Sequence, residues 1–366
     1  MRRLLGLALA LSGCLKPSSK QCSQGWACPS GLDCVDPPTF CASKDEATAC
    51  SAGSDFSACT TMAGSGYCQG HACQPCIVDY AVCPAPAWSA MTYMGPDLVS
   101  VAVPAPGTAI AVGAGSIAQW DGLSWTTKDV ASPDTLRWLA LPAGGGDAWL
   151  ISTTKLYRWD GTTLTTAYTA ATTSMTSVWA ASPTDIYAVG TAGTVIHGDG
   201  TTFTATTLPS STRTLFAVAG SSSNDVYAVG QVGTLVHLEA GTWVQKTLPA
   251  SAATTTLRAV WSDSPGDVFA AGNTGTILHF DGTAWTVSPT SPEIAMLTLH
   301  SLWGSGPSDV YAIGNNGTGS SIVHFDGTMW KTQQAVPIAL SAGAGAGAHE
   351  QIAVGPNQTV LRSTAP

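Results

Sequence analysis

One phrase recurs through most of the chain and limits what it can fold into. Between residues 267 and 285 it reads D-V-F-A-A-G-N-T-G-T-I-L-H-F-D-G-T-A-W, and it returns at 185–203, 225–243 and 309–330. Fainter copies occupy 108–125, 147–164 and 350–362. Anchored on the residue that closes the V-Y-A-V-G segment, the copies fall at Gly113, Ser152, Gly190, Gly230, Gly272, Gly314 and Gly355, with steps of 39, 38, 40, 42, 42 and 41 residues. A fixed period of this length marks a repeat architecture, in which each unit buries its apolar face only against its neighbours. The copies are rich in Gly, Thr and Val and show no 3.6-residue apolar stripe, which excludes a helical solenoid.

Each copy divides into four short strands. In the fifth, the segments 257–261, 267–271, 276–280 and 284–287 are apolar or alternating, and Asp281-Gly282 between the last two is a hairpin signal. Four antiparallel strands every 40 residues or so describe one propeller blade. The expected fold is therefore all-β, a seven-bladed β-propeller spanning 86–366. The middle of the second strand is small (Ala111, Ala188, Ala228, Ala270, Ala312, Ala353) and its neighbour large (Tyr187, Tyr227, Phe269, Tyr311). Small residues on one face let the next blade approach, and large ones on the other fill the wedge. The fourth strand opens with Trp125, Leu164, Phe203, Trp243, Trp285 and Trp330, but the last copy stops after its third strand. The missing aromatic is expected to be Trp88, donated from the N-terminal end of the domain, so that the ring closes and no sheet edge is left open.

Upstream, Arg2 and Arg3 precede an apolar run, 4–11, that is too short to span a bilayer. The following Leu11-Ser12-Gly13-Cys14 resembles the lipobox of bacterial lipoproteins. That resemblance implies a signal peptide over 1–13 and lipidation of Cys14 at the head of a linker, 14–21. With Leu15 rather than Asp after the cysteine, it implies anchoring in an outer membrane. The remaining cysteines, Cys22, Cys28, Cys34, Cys41, Cys50, Cys59, Cys68, Cys73, Cys76 and Cys83, are even in number and confined to 22–83. In an exported chain this density reads as a disulfide framework whose connectivity the spacing leaves open. A zinc site at Cys68, His71, Cys73 and Cys76 is the weaker alternative, because an oxidising compartment favours disulfides.

The repeats resemble those of myxobacteria-like lipoproteins with tandem V-W-G-S…D-V-Y-A-V-G…D-G-T-x-W propeller repeats. Residues 302–314 carry the phrase nearly intact, and the resemblance covers 97–366. It implies the fold and an envelope location and little about activity. The D-G-T-x-W segment also looks like the Asp-box of sialidases but lacks one residue of it, and no sialidase site is carried over.

The chain has 14 Lys and Arg against 23 Asp and Glu, a net charge of −9. No basic patch is available for nucleic acid or anionic lipid. Gln119, Arg158, His197, His237, His279, His324 and Arg362 form a column, one per copy, at the end of the third strand. A shared metal is excluded by distance, since third strands of neighbouring blades stand roughly 13 Å apart while zinc holds nitrogen at about 2.1 Å. The histidines are expected to hydrogen-bond within their own blade or to the next, the repeat acids Asp185, Asp225, Asp267 and Asp309 being the candidate partners. No nucleophile elbow, P-loop or dinucleotide fingerprint is present, and nothing calls for a cofactor. The candidate binding residues are Trp179, Trp261 and Trp303, at one repeat-equivalent place on the first strand, suited to stacking on a sugar or gripping a peptide, or else to filling the space between blades. The expected function is a lipid-anchored, non-catalytic binding or scaffold module for protein or glycan. The alternative is a polysaccharide hydrolase or lyase using acidic residues in the channel.

Overall fold

The computed structural model describes residues 88–364 apart from 131–133, 143, 209–212 and 348–349, and N-terminal to these only short backbone strands between residues 20 and 75. Two units are separated after Ala85. In the first, strands of two to six residues pair antiparallel, and the pairing sets Cys34 opposite Cys41 and Cys68 opposite Cys73. The lipidation expected at Cys14 and the sulfur pairing of the other ten cysteines lie outside the described residues, as does the alternative zinc site.

The second unit is the ring of blades. Blade 1 comprises Leu98–Ala105, Thr108–Gly113, Ser116–Trp120 and Trp125–Asp129. Blade 2 comprises Trp138–Ala140, Ala148–Ile151, Lys155–Trp159 and Leu164–Thr169. Blade 3 comprises Met175–Ser182, Asp185–Gly190, Thr194–Gly198 and Phe203–Thr207. Blade 4 comprises Leu215–Ser222, Asp225–Gly230, Leu235–Glu239 and Thr242–Gln245. Blade 5 comprises Leu257–Ser264, Asp267–Gly272, Ile277–Phe280 and Trp285–Val287. Blade 6 comprises Thr298–Gly306, Asp309–Asn315, Ser320–Phe325 and Trp330–Val336. Blade 7 takes Ala342–Ala346, Glu350–Val354 and Val360–Thr364 from the C-terminus and Trp88–Ala90 from the other end of the domain. Its closing register is Leu361 to Ala90, Arg362 to Ser89 and Ser363 to Trp88. The fold is all-β, a seven-bladed propeller of four-stranded antiparallel blades.

First strands touch first strands around the ring, so they line its axis. The apolar core is divided among the joints. At the joint of blades 3 and 4, Tyr187, Val189 and Val195 pack on Leu215, Val218, Val226, Ala228 and Val236. At the next, Tyr227 and Val229 pack on Leu257, Val260, Val268, Ala270 and Leu278. The alternation along the second strand produces this arrangement, because successive side chains point to opposite faces. Ala228 thus receives the neighbour's Tyr187 while Tyr227 reaches toward the blade beyond. The fourth-strand aromatics complete the joints, and Trp330 is fully buried against Phe269 and Phe325. Trp88 takes the same role at the closing blade, half-buried, with its indole N–H donated to Gln333 Oε1 at 2.8 Å.

Candidate functional site

The ring has two faces. On the turn face lie the first-to-second-strand loops and the third-to-fourth-strand hairpins. On the entry face each first strand begins, beside the second-to-third-strand loops. The His column closes the third strand on the turn face. Each His Nε2 donates to the repeat Asp that opens the second strand: His197 to Asp185 at 2.6 Å, His237 to Asp225 at 2.9 Å, His279 to Asp267 at 2.5 Å and His324 to Asp309 at 2.7 Å. The cross-strand aromatic covers each ring, with centroid separations of 4.2 Å for Tyr187–His197 and 4.1 Å for Tyr227–His237. In blades 2 and 7 the pair becomes Arg158 with Asp147 and Arg362 with Glu350. Burial, followed by the charge of Asp185, pushes the Tyr187 hydroxyl up to about 12. Burial tends to raise the Asp225 carboxyl, but hydrogen bonds from His237 and Ser221 outweigh it and hold the group below its usual range. The His and Arg members of the column are intrablade locks, one of the two arrangements expected for the histidines. Among the described residues no group of three His, Cys, Asp or Glu converges on a point where a metal ion could sit.

The three tryptophans are packed between blades. Each lies over a glycine on the first strand of the following blade: Trp179 over Gly220, Trp261 over Gly304 and Trp303 over Gly343. A Cβ at Gly343 would stand 2.3 Å from the Trp303 ring, which no real contact permits, so the ring occupies the space a side chain would need. Trp303 is 6 % exposed and donates its indole N–H to Gln351 Oε1 at 2.6 Å. It presents no surface for a ligand. Trp179 and Trp261 are half-buried in the corresponding joints.

The entry-face mouth of the channel is different. In blades 3 to 6 the pairing of first and second strands slips near the start of the first strand, and Thr176, Phe216, Arg258 and His300 occupy the slip. A bulge re-aims a side chain out of the regular alternation. The Arg258 guanidinium lies 5.0 Å from the Phe216 ring centroid in the preceding blade, and its Nε donates to Asn273 Oδ1 at 2.8 Å. His300 is the next residue round. Burial holds its imidazole below its usual range, with hydrogen bonding to Asn315 opposing and the nearby Arg258 charge adding to the depression. Its Nε2 atom is buried with no hydrogen-bond partner among the described residues. The sixth copy runs three residues longer between Gly314 and His324 than the fifth does between Gly272 and His279, which lengthens the hairpin between Asp309–Asn315 and Ser320–Phe325 on this same face. Sequence reading singled out the His and Trp columns and passed over this one. The available signal was that the residue after the leading Leu or Met of each first strand changes from copy to copy (Thr, Phe, Arg, His) while its neighbours hardly do.

No protein-family model and no curated protein sequence matches the chain. Solved structures do. YCF48 bound to D1 peptide superposes with a TM-score of 0.61 at 14% identity, covering 79% of this chain and 97% of that one. The WD40 propeller domain of Doa1 superposes with a TM-score of 0.63 at 10% identity, covering 76% and 96%. An inactive virginiamycin B lyase from Staphylococcus aureus with quinupristin superposes with a TM-score of 0.64 at 12% identity, covering 76% and 99%. At these identities the likeness shows the fold, which serves both binding proteins and a lyase.

Proposed function

We propose that this chain is a lipid-anchored cell-envelope protein whose propeller works as a non-catalytic binding module for a partner protein. The observation that carries the binding reading is how the polar groups are used. The repeat carboxylates that acid–base chemistry would draw on are bonded to a His or Arg of their own blade. The entry-face mouth, by contrast, holds Arg258 with no carboxylate partner among the described residues. The peptide-bound YCF48 and the WD40 propellers are consistent with protein as the ligand class, and glycan is the other candidate. The anchor rests on the Leu11-Ser12-Gly13-Cys14 string and the apolar run before it.

Two measurements test this. Fatty-acid labelling and fractionation of Cys14→Ser should show the label lost and the protein released from membranes; retained labelling overturns the anchor. Cross-linking of the intact protein in its envelope should recover a protein partner, and recovery of none overturns the module. One observation favours the lyase or hydrolase alternative: burial and the neighbouring Asp267 hold the Asp263 carboxyl above its usual range on the turn face. A raised carboxyl suits a general acid. Loss of a polysaccharide-cleaving activity on Asp263→Asn would establish that reading instead.

A further inference from the structure

Three groups from consecutive blades meet at the entry-face mouth. Phe216 supplies an apolar wall, and Arg258 is steadied against it by the ring face and by Asn273. In His300, which follows, the ring interacts with Asn315 and the Ser341 backbone, while the Nε2 atom is buried with no hydrogen-bond partner among the described residues. Leaving a buried polar atom unpaired is costly, so such an atom is a place to look for a missing partner. Only Nε of Arg258 has a hydrogen-bond partner among the described residues. A guanidinium fork held on an aromatic face matches one group above others, a carboxylate, which it can take through two parallel hydrogen bonds. Charge points the same way. The ring positions equivalent to Arg258 contain no acid in any of the blades (Val99, Arg137, Thr176, Phe216, His300, Ser341), although the chain as a whole is acidic.

We propose that Phe216, Arg258 and His300 form a binding site for a carboxylate side chain presented by a partner protein. This deepens the binding-module reading and rests on it. The Arg258 terminal nitrogens donate to the two carboxylate oxygens, the His300 ring nitrogen bonds to one of them, and the methylenes of the incoming side chain lie against Phe216. Access favours protein over glycan. The unsatisfied nitrogen is buried, so the group that reaches it must be slender. An aspartate or glutamate carboxylate enters on a flexible stem, whereas a uronate carboxylate is fixed to a six-membered ring that would have to enter with it.

The test titrates the full chain, in detergent micelles, into fluorescein-labelled hexaglutamate, with hexaglutamine and hexagalacturonate as comparison probes. Hexaglutamate is expected to bind and hexaglutamine not to. Arg258→Gln is expected to weaken binding about tenfold or more, and Arg258→Lys, which keeps the charge and stem but loses the fork, by less. His300→Phe is expected to weaken it as well, and Lys331→Gln, on the turn face, to leave it unchanged. No binding of hexaglutamate, equal binding to Arg258→Gln and Arg258→Lys variants as to the wild type, or hexagalacturonate binding as tightly as hexaglutamate overturns the proposal. Cross-linking separates the two levels. If Arg258→Gln still captures the partner the wild type captures, this site is wrong and the module reading stands; if the wild type captures nothing, the module reading itself fails.

Discussion

The Asp-Gly hairpins show how much one side chain settles locally. Asp281 Oδ1 accepts from the N–H groups of Thr283 and Ala284 and from the Thr283 hydroxyl. Asp160 and Asp199 do the same in their blades. These bonds favour the ionised form and lower the three carboxyls from 3.8 to about 2. The folded state therefore holds its protons less tightly than the unfolded chain. The stabilisation is complete above the ordinary carboxylate range and disappears as pH falls from about 4 to about 2. Asn316 makes a turn of the same kind between the second and third strands of blade 6, accepting from the Thr318 and Gly319 N–H groups without a charge. Asp281→Asn should accordingly melt like the wild type at neutral pH and lose less of its melting temperature across the acid range. Thermal unfolding at a series of pH values checks this, and equal losses would show that Asp281 does not titrate with folding. Such turns were legible in advance because every bond they use lies within three residues.

At the scale of the element, the joint between two first strands is a ring set in a glycine notch. Gly343→Ala should destabilise the propeller because its methyl group meets the Trp303 ring, and Trp303→Ala should destabilise it through the cavity left behind and the lost bond to Gln351. Together the two should cost less than their sum, with a coupling of roughly 0.5–3 kcal/mol in denaturant melts. Strict additivity would mean the notch and the ring do not act as a pair. The strands themselves were readable from alternation and turn residues. The notch was not, because Trp303 and Gly343 are 40 residues apart and only the packing of neighbouring blades brings them together. The mouth residues escaped for a related reason. Arg258 and His300 look like ordinary variation until the slip between first and second strands takes them out of the regular alternation.

For the molecule as a whole, closure depends on three paired residues at the ends of the domain. A chain beginning at Pro86 should melt higher than one beginning at Met94, which lacks Trp88–Ala90, and equal melting would show that the ring holds without its closing strand. Trp88→Ala should cost about 3 kcal/mol, the low end for removing a large aromatic, since Trp88 is half-buried where Trp330 is fully buried. That the last blade would borrow a strand was visible in the count of fourth-strand aromatics; the bond from Trp88 to Gln333 of blade 6 was not, because no repeat position announces it. The same closure sets a clock. Ser89 meets Arg362 across 273 residues, and at about 5–20 residues per second the ribosome needs roughly 15–55 s to supply the partner of a strand it made first. Throughout that interval the growing propeller carries an unmated strand at its N-terminal edge, and the brevity of that strand, three residues with a serine at its centre, limits how adhesive the waiting edge can be.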